Sequence, residues 1–270
     1  MNAELELMRT IAAEAAKVVM EVYGAPFEVD YKGPQDPVTL ADRRANALIC
    51  ERLEREFPGV PIVAEESDPA TFADFRASDR VFFVDPVDGT REFVDKNGEF
   101  AVMIALVEGA RAIAAVIDAP ARGDVFAGWV GQGAFRVRDG RRAPLRVSDI
   151  TDLSRGRLVG SRSHRSPQLE RALAKLNPLE MRVMGSAGLK ATLVATAEVE
   201  AYIAPGYAGQ RWDACAADAL VTAAGGKLTD TYGDAIDYRA PSLSNDRGLI
   251  ASNGHVHERL VQSFAELRDD

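Results

Sequence analysis

The sequence predicts a layered α/β chain. Two amphipathic helices and a run of short β-rich segments occupy the first half, and strands alternate with helices in the second. Over residues 4–23, Leu5, Met8, Ala12, Ala15, Val19 and Val22 recur at helical spacing, and Gly24 stops the run. Thr39-Leu40-Ala41-Asp42 resembles a capping box with Asp in the Glu position. It opens a second helix whose apolar face is Ala45, Leu48, Ile49, Leu53 and Phe57 and whose end is Pro58-Gly59. Six β-rich runs follow, Pro61–Ala64, Arg80–Val84, Ala101–Val107, Ala112–Ile117, Asp124–Trp129 and Ala134–Val137, divided by turn-forming residues. The polar, basic segment Arg138–Ser154 shows no clear period and marks the expected boundary between residues 1–150 and residues 151–270. Beyond it, strands are expected at Leu158–Gly160, Met181–Met184, Ala201–Ala204 and Leu249–Ser252. Helices are expected at Pro167–Leu176, Ala187–Ala197, Ala214–Ala224 and Val256–Leu267.

Composition narrows the function classes. With 270 residues, 47% of them hydrophobic, the chain can build one large core or two modest ones. Its 32 basic and 41 acidic residues leave a net charge of −9, which argues against a nucleic-acid polymer or an anionic membrane as partner. An anionic small molecule stays open if a bound cation reverses the local field. Cys50 and Cys215 form no Cys-x-x-Cys pair and read as small buried hydrophobes. The acidic N-terminus, with Glu4, Glu6 and Glu14, does not resemble a signal peptide, and no apolar run reaches membrane-spanning length. A reducing cytoplasm is the expected location.

Candidate chemistry gathers in three stretches: Glu65-Glu66, Asp85-Pro86-Val87-Asp88-Gly89-Thr90 and Trp212-Asp213. The middle one follows the apolar strand Val81–Val84, and ligand sites tend to lie at such strand ends. Pro86 is expected to break the strand and turn Asp85 and Asp88 toward one point, with the Val87 carbonyl between them. A helix or turn is expected from Thr90, whose free N–H groups could receive a phosphate. Taken alone, the hexapeptide reads equally well as a plain turn, and Glu65-Glu66 as a solvated pair. Carboxylates converging without His or Cys make a hard-cation site suited to Mg²⁺, Mn²⁺ or Ca²⁺. Phosphoryl transfer needs the positioning and charge neutralisation that such ions supply.

In this order and spacing, the Glu-Glu pair, Asp-Pro-hydrophobic-Asp-Gly-Thr and the late Trp-Asp resemble the inositol monophosphatase superfamily of lithium-sensitive, Mg²⁺-dependent phosphatases. The resemblance runs from about Ile11 to Ser252. Arg91-Glu92-Phe93, Asn97-Gly98-Glu99-Phe100, Arg162-Ser163-His164, Gly185–Lys190, Trp212–Ala216 and Gly225–Asp230 look like its 3′(2′),5′-bisphosphate nucleotidase (CysQ-type) branch. The resemblance implies the αβαβα sandwich of that family. It also implies a phosphomonoesterase that converts adenosine 3′,5′-bisphosphate to AMP and phosphate with two or three Mg²⁺ ions.

Residue by residue, the same resemblance implies that Glu65, Asp85 and the Val87 carbonyl hold one ion. Asp85, Asp88 and Asp213 hold a second, and a third, seen in some relatives, leans on Glu65. Asp42 and Thr90 match the pair that orients and deprotonates the attacking water. The backbone at Gly89 and Thr90 would cradle the phosphate, and Asp213 is expected to border the substrate as well. Ser161, His164, Ser186 and Lys190 match nucleotide contacts, although Ser186 replaces a glycine common in animal relatives. Trp212 is expected to pack beside the site, and His255 and His257 carry no expected role.

Two other readings stay open: an inositol or sugar monophosphatase on the same scaffold, and a catalytically silent metal or nucleotide sensor. The second is disfavoured because each matched metal-ligand side chain is a carboxylate here. Monomer and homodimer both remain open.

Overall fold

The computed structural model describes residues 2–33, 36–72, 75–162 and 167–267. Helix α1 (Ala3–Tyr23) starts at Asn2, whose side chain accepts from the Glu4 and Leu5 amides. A hairpin of β1 (Val29–Gly33) and β2 (Asp36–Thr39) leads into α2 (Leu40–Glu56). The capping box at Thr39 forms: its amide donates to Asp42 Oδ2 at 2.8 Å, and the Ala41 amide donates to Thr39 Oγ1 at 3.1 Å.

Seven strands then build one sheet in the order β3-β4-β5-β6-β7-β8-β9. They are β3 (Ile62–Ala64), β4 (Arg80–Asp88), β5 (Ala101–Glu108), β6 (Arg111–Ala119), β7 (Asp124–Trp129), β8 (Gly133–Arg138) and β9 (Arg141–Leu145). β3 runs parallel to β4, and every later pair is antiparallel. The short helix α3 (Thr90–Val94) interrupts the run after β4.

The second sheet has the order β11-β10-β12-β14-β13. Its strands are β10 (Arg157–Ser161), β11 (Glu180–Met184), β12 (Ala201–Ala204), β13 (Lys227–Thr229) and β14 (Leu249–Ser252). Helices α4 (Pro167–Leu176), α5 (Ala187–Ala195), α6 (Arg211–Ala223) and α7 (His257–Glu266) complete the chain. β10 is parallel to both β11 and β12, with α4 and α5 as crossovers, while β14 is antiparallel to its neighbours.

Five layers result, as the expected αβαβα sandwich requires. Helices α1 and α2 cover one face of the seven-stranded sheet, α5 and α6 lie between the two sheets, and α4 and α7 cover the far side of the second. β5 shows why its sequence is continuously apolar. Ala101, Met103, Ala105 and Val107 face the α5/α6 core, while Val102, Ile104 and Leu106 face the α1/α2 core. Neither face of this strand meets water, so no alternation survives in its sequence.

Three local expectations change. The segment Arg138–Ser154 is not an uninterrupted connection, since β9 lies inside it and pairs with β8. Its Arg141, Arg142, Ala143 and Pro144 are exposed, as an edge strand tolerates, so no apolar period signals it. Helix α6 begins at Arg211 rather than Ala214, which places Asp213 in its first turn. Pro86 does not end β4: the strand continues to Asp88 through a register shift.

Candidate active site

That shift builds the site. Asp85 pairs with Met103 and Asp88 with Ala101, so three steps on β4 face two on β5. A regular strand would send residues three apart to opposite faces. The extra residue of the bulge returns Asp88 to the side of Asp85, and Pro is tolerated there because a bulge leaves an amide unpaired. The Val87 amide donates to Asp85 Oδ1 at 3.0 Å, fixing that carboxylate across the bulge.

Two helix N-termini from the middle layer meet these strand-end acids. Asp88 Oδ1 accepts from the Ala187 amide at 2.9 Å and Oδ2 from the Gly188 amide at 2.7 Å, so Asp88 caps α5 from outside. A side chain at Gly188 would place its Cβ 2.5 Å from Met103 Sδ, which is why the α5 backbone can come this close. Asp213 closes a capping box on α6, its Oδ2 accepting from the Gln210 amide at 2.6 Å. Oxygens of Asp85, Asp88 and Asp213 all lie within 4.8 Å of one another.

Burial pushes the Asp85 carboxyl well up, and the charges of Glu65, Asp88 and Asp213 push it further. Burial does the same to Asp213, reinforced by Glu65 and Asp88, while the Gln210 amide and Lys190 act against it. Among the described residues, no Lys or Arg forms an ion pair with any of the three aspartates. A largely buried, oxygen-only donor set of like charges fits a hard divalent cation, which would remove the repulsion that adds to the rise at Asp85 and Asp213.

Beside the cluster, Thr90 Oγ1 lies 3.0 Å from Asp42 Oδ1 and 3.1 Å from the Val87 carbonyl oxygen, in donor geometry to both. Asp42 Oδ2 is taken up by the amide and hydroxyl of Thr39, so Oδ1 is the oxygen presented to Thr90. Burial raises the Asp42 pKa, the Thr39 hydrogen bonds oppose it, and Glu66 adds to the rise.

A cleft of about 270 Å³ gathers most of the predicted residues: Glu65, Asp85, Val87, Asp88, Gly89, Thr90, Ser161, Ser186, Lys190 and Asp213 line it. Asp42 reaches it through Thr90. His164 lies outside the described residues. Ser186 donates its hydroxyl to Asp88 and accepts from the Leu189 amide at 3.0 Å, with a positive φ of 55°. Its side chain is therefore engaged with an acid and a helix end. Lys190 is buried, donates to the Ser186 carbonyl at 2.8 Å and lies 5.1 Å from the Tyr202 ring centroid. Burial lowers its pKa, against the pull of Asp88, Glu92 and Asp213.

Glu65 sits at the cleft, but Lys32 donates to it at 2.9 Å and to Glu66 at 2.6 Å. Burial lifts the Glu65 carboxyl to about 6, with Lys32 opposing. Sequence reading did not identify Lys32, Glu92, Tyr202 or Tyr207 as neighbours of the site. Lys32 stands in a hairpin with no apolar alternation, and Tyr207 follows Pro205-Gly206, so only the folded chain brings them in. Trp212 is partly buried against the central core, as expected. His257 is buried, with Nε2 2.8 Å from Thr229 Oγ1 and Nδ1 2.8 Å from Ser252 Oγ, a structural role the sequence did not announce.

Comparison with known proteins agrees with this geometry. The model of the inositol monophosphatase family matches residues 3–269. A 3′(2′),5′-bisphosphate nucleotidase CysQ of Salmonella typhimurium is 35% identical, over 87% of this chain and 93% of its own. Among solved structures, the extragenic suppressor protein suhB of Bartonella henselae superimposes with a TM-score of 0.83 at 28% identity, covering 97% of this chain and 98% of that one. CysQ of Bacteroides thetaiotaomicron gives a TM-score of 0.78 at 26% identity, covering 93% and 97%. Among the described residues, no helix is long and apolar enough to cross a membrane. The chain belongs to the inositol monophosphatase family, and it is a phosphoric monoester hydrolase.

Proposed function

We propose that the chain is a Mg²⁺-dependent 3′(2′),5′-bisphosphate nucleotidase that releases phosphate from adenosine 3′,5′-bisphosphate to leave AMP. The observation that carries the reading is the meeting of buried Asp85 and Asp88 with half-buried Asp213, with no ion pair to a Lys or Arg among the described residues, next to the Asp42–Thr90 hydrogen bond. Asp85, Asp88 and Asp213 would hold Mg²⁺, with Glu65 and the Val87 carbonyl at its edge. Bound there, the metal would neutralise phosphate charge and orient the oxygens of an in-line displacement.

The chain's own residues divide the remaining work. Thr90 holds the attacking water by accepting its proton at Oγ1 while donating its own toward Asp42 Oδ1. Asp42 suits this task because burial raises its proton affinity while Thr39 fixes its second oxygen. The backbone at Gly89 and Thr90, at the start of α3, borders the phosphate position. Lys190 offers a desolvated ammonium to a second anionic group, and Ser161 borders the same side of the cleft. In this reading residues 1–150 supply Asp42, Glu65, Asp85, Asp88 and Thr90, and residues 151–270 supply Asp213 and the leaving-group side.

The test is phosphate release from adenosine 3′,5′-bisphosphate and inositol 1-phosphate, side by side in Mg²⁺. The bisphosphate should have the higher kcat/KM. A preference for inositol 1-phosphate would move the chain to the sugar-phosphatase reading, and inertness toward both would overturn the nucleotidase reading in favour of another phosphate ester.

A further inference from the structure

We infer that Asn245 is a positioning residue for the metal cluster, acting through a clasp that sets Asp213. Asn245 lies in the connection before β14, outside the cleft lining, and is only 2% exposed. A buried amide left without partners is costly, and this one finds them on a single neighbouring segment. Its Nδ2 donates to the Ala208 carbonyl at 3.3 Å and to the Gln210 carbonyl at 2.5 Å. Its Oδ1 accepts from Arg211 Nη1. Its backbone amide donates to Gly209 O at 2.9 Å, and its carbonyl accepts from the Ala208 amide at 3.0 Å. A bridge between Gln210 and Ser244 and the Arg211 amide donating to Leu243 O at 2.7 Å extend the attachment.

The segment so held carries the atoms that set Asp213. Gln210 gives its carbonyl to Asn245 and its amide to Asp213 Oδ2. Gly209, with φ of +75°, lies so close that a Cβ there would approach Asp213 Oδ2 to 2.5 Å. The clasp therefore fixes the plane of the Asp213 carboxylate from behind, while its front faces Asp85 and Asp88. Such outer partners matter because a metal selects ligands already aimed at it; losing one typically costs about 10–100-fold in metal affinity. Asn is specific for the task. Its side chain donates to two carbonyls and accepts from a guanidinium at once, which neither Asp nor Ala can reproduce.

This inference rests on Asp213 being a metal ligand, so the experiment carries that variant too. Mg²⁺ binding to the purified full-length chain is measured by calorimetry for the parent, Asp213→Asn, Asn245→Ala and the isosteric Asn245→Asp. We expect Asn245→Ala and Asn245→Asp each to weaken Mg²⁺ binding by about 10–100-fold and to lower kcat more than they raise KM at saturating metal. If Asp213→Asn binds Mg²⁺ like the parent, the ligand assignment itself fails. If Asp213→Asn weakens binding and the Asn245 variants do not, only the clasp fails. Hydrogen exchange in the parent chain covers variants that do not fold. Adding Mg²⁺ should slow exchange of the Ala208 and Asn245 amides, and unchanged rates at both would overturn the inference.

Discussion

Two buried carboxylate regions of this molecule have opposite characters. Glu200, just before β12, is fully buried. It accepts from the amide of Arg157 and from its guanidinium, with Nη2 at 3.0 Å. Burial pushes its pKa up, but the Arg157 hydrogen bonds outweigh that and leave it lowered. Asp85, equally hidden at 1% exposed, accepts from one amide and faces three other acids, so its pKa is raised. The fold gives one carboxylate its counter-charge and gathers the other with like charges. Burial alone distinguishes nothing here; the partner separates a carboxylate held by an arginine from one that, in the proposed reading, would hold a cation.

The sharpest way to break this contrast is to neutralise one acid from each region. Asp85→Asn should lower kcat/KM by about three decades, roughly 4 kcal/mol at 1.36 kcal/mol per decade. It should leave the metal-free chain folded and at least as stable, because like charges no longer meet. It should also abolish the rise in Tm that Mg²⁺ gives the parent by binding the folded state. Glu200→Gln should do the reverse, keeping the Mg²⁺-induced rise while costing roughly 1–3 kcal/mol through the Arg157 pair it weakens. Thermal melts with and without metal read both outcomes, and equal behaviour of the two variants would erase the contrast.

Asp42 tests the border between the regions, since it has hydrogen-bond partners and also faces the cleft chemistry. Asp42→Asn should lower kcat by about two to four decades and leave Mg²⁺ affinity near that of the parent. Loss of metal binding in this variant would make Asp42 a ligand instead of a proton acceptor.

Lys190 lines the same cleft, and the proposed reading gives its ammonium to the substrate. Lys190→Ala should raise KM for adenosine 3′,5′-bisphosphate by about one to two decades, the worth of one charged hydrogen bond. A simple monophosphate should be affected much less. Equal losses on both substrates would mean that Lys190 acts on the metal site or on folding.

The smallest effect concerns Asp118 on β6, a buried carboxylate with no ion-pair partner among the described residues and outside the cleft lining. Burial lifts it to about 7, and Arg9 offsets this only in part. Its folded pKa is above the unfolded value of 3.8, so the folded chain binds the extra proton between those values and stability falls as pH rises from about 4 to 7. Asp118→Asn should therefore stabilise the chain by roughly 1–2 kcal/mol at pH 8, less than the full linkage because a buried amide has its own cost. At pH 4 it should add nothing. Denaturant melts at the two pH values decide it, and a gain that does not depend on pH would remove the electrostatic explanation.

Much of this was legible in the sequence, for identifiable reasons. The helical faces of α1 and α2 repeat at the helical period, the strands β4 to β8 stand out as apolar runs between turn residues, and Thr39 with Asp42 states a cap outright. Asp85, Asp88 and Asp213 stood out as acids gathered beside a strand end and turns, whereas the pairing of Asp42 with Thr90 came only from the resemblance to the family. The bulge at Pro86 was not legible, because Pro usually ends a strand and only pairing with β5 shows otherwise. Nor were Lys32 and Asn245. Their partners lie 33 residues away in Glu65 and 35 away in Gln210, and no local pattern carries such a separation. Strand β13, three residues long, and the exposed edge strand β9 lack the length or apolar alternation that sequence reading depends on.

The central claim, that the three clustered aspartates require a divalent cation to release phosphate, is tested most directly by one titration. Phosphate release from adenosine 3′,5′-bisphosphate is followed for the chelator-treated chain as Mg²⁺ is added back. The account predicts no turnover without metal and a saturable return with it, absent in Asp85→Asn. Full turnover in excess chelator would contradict it.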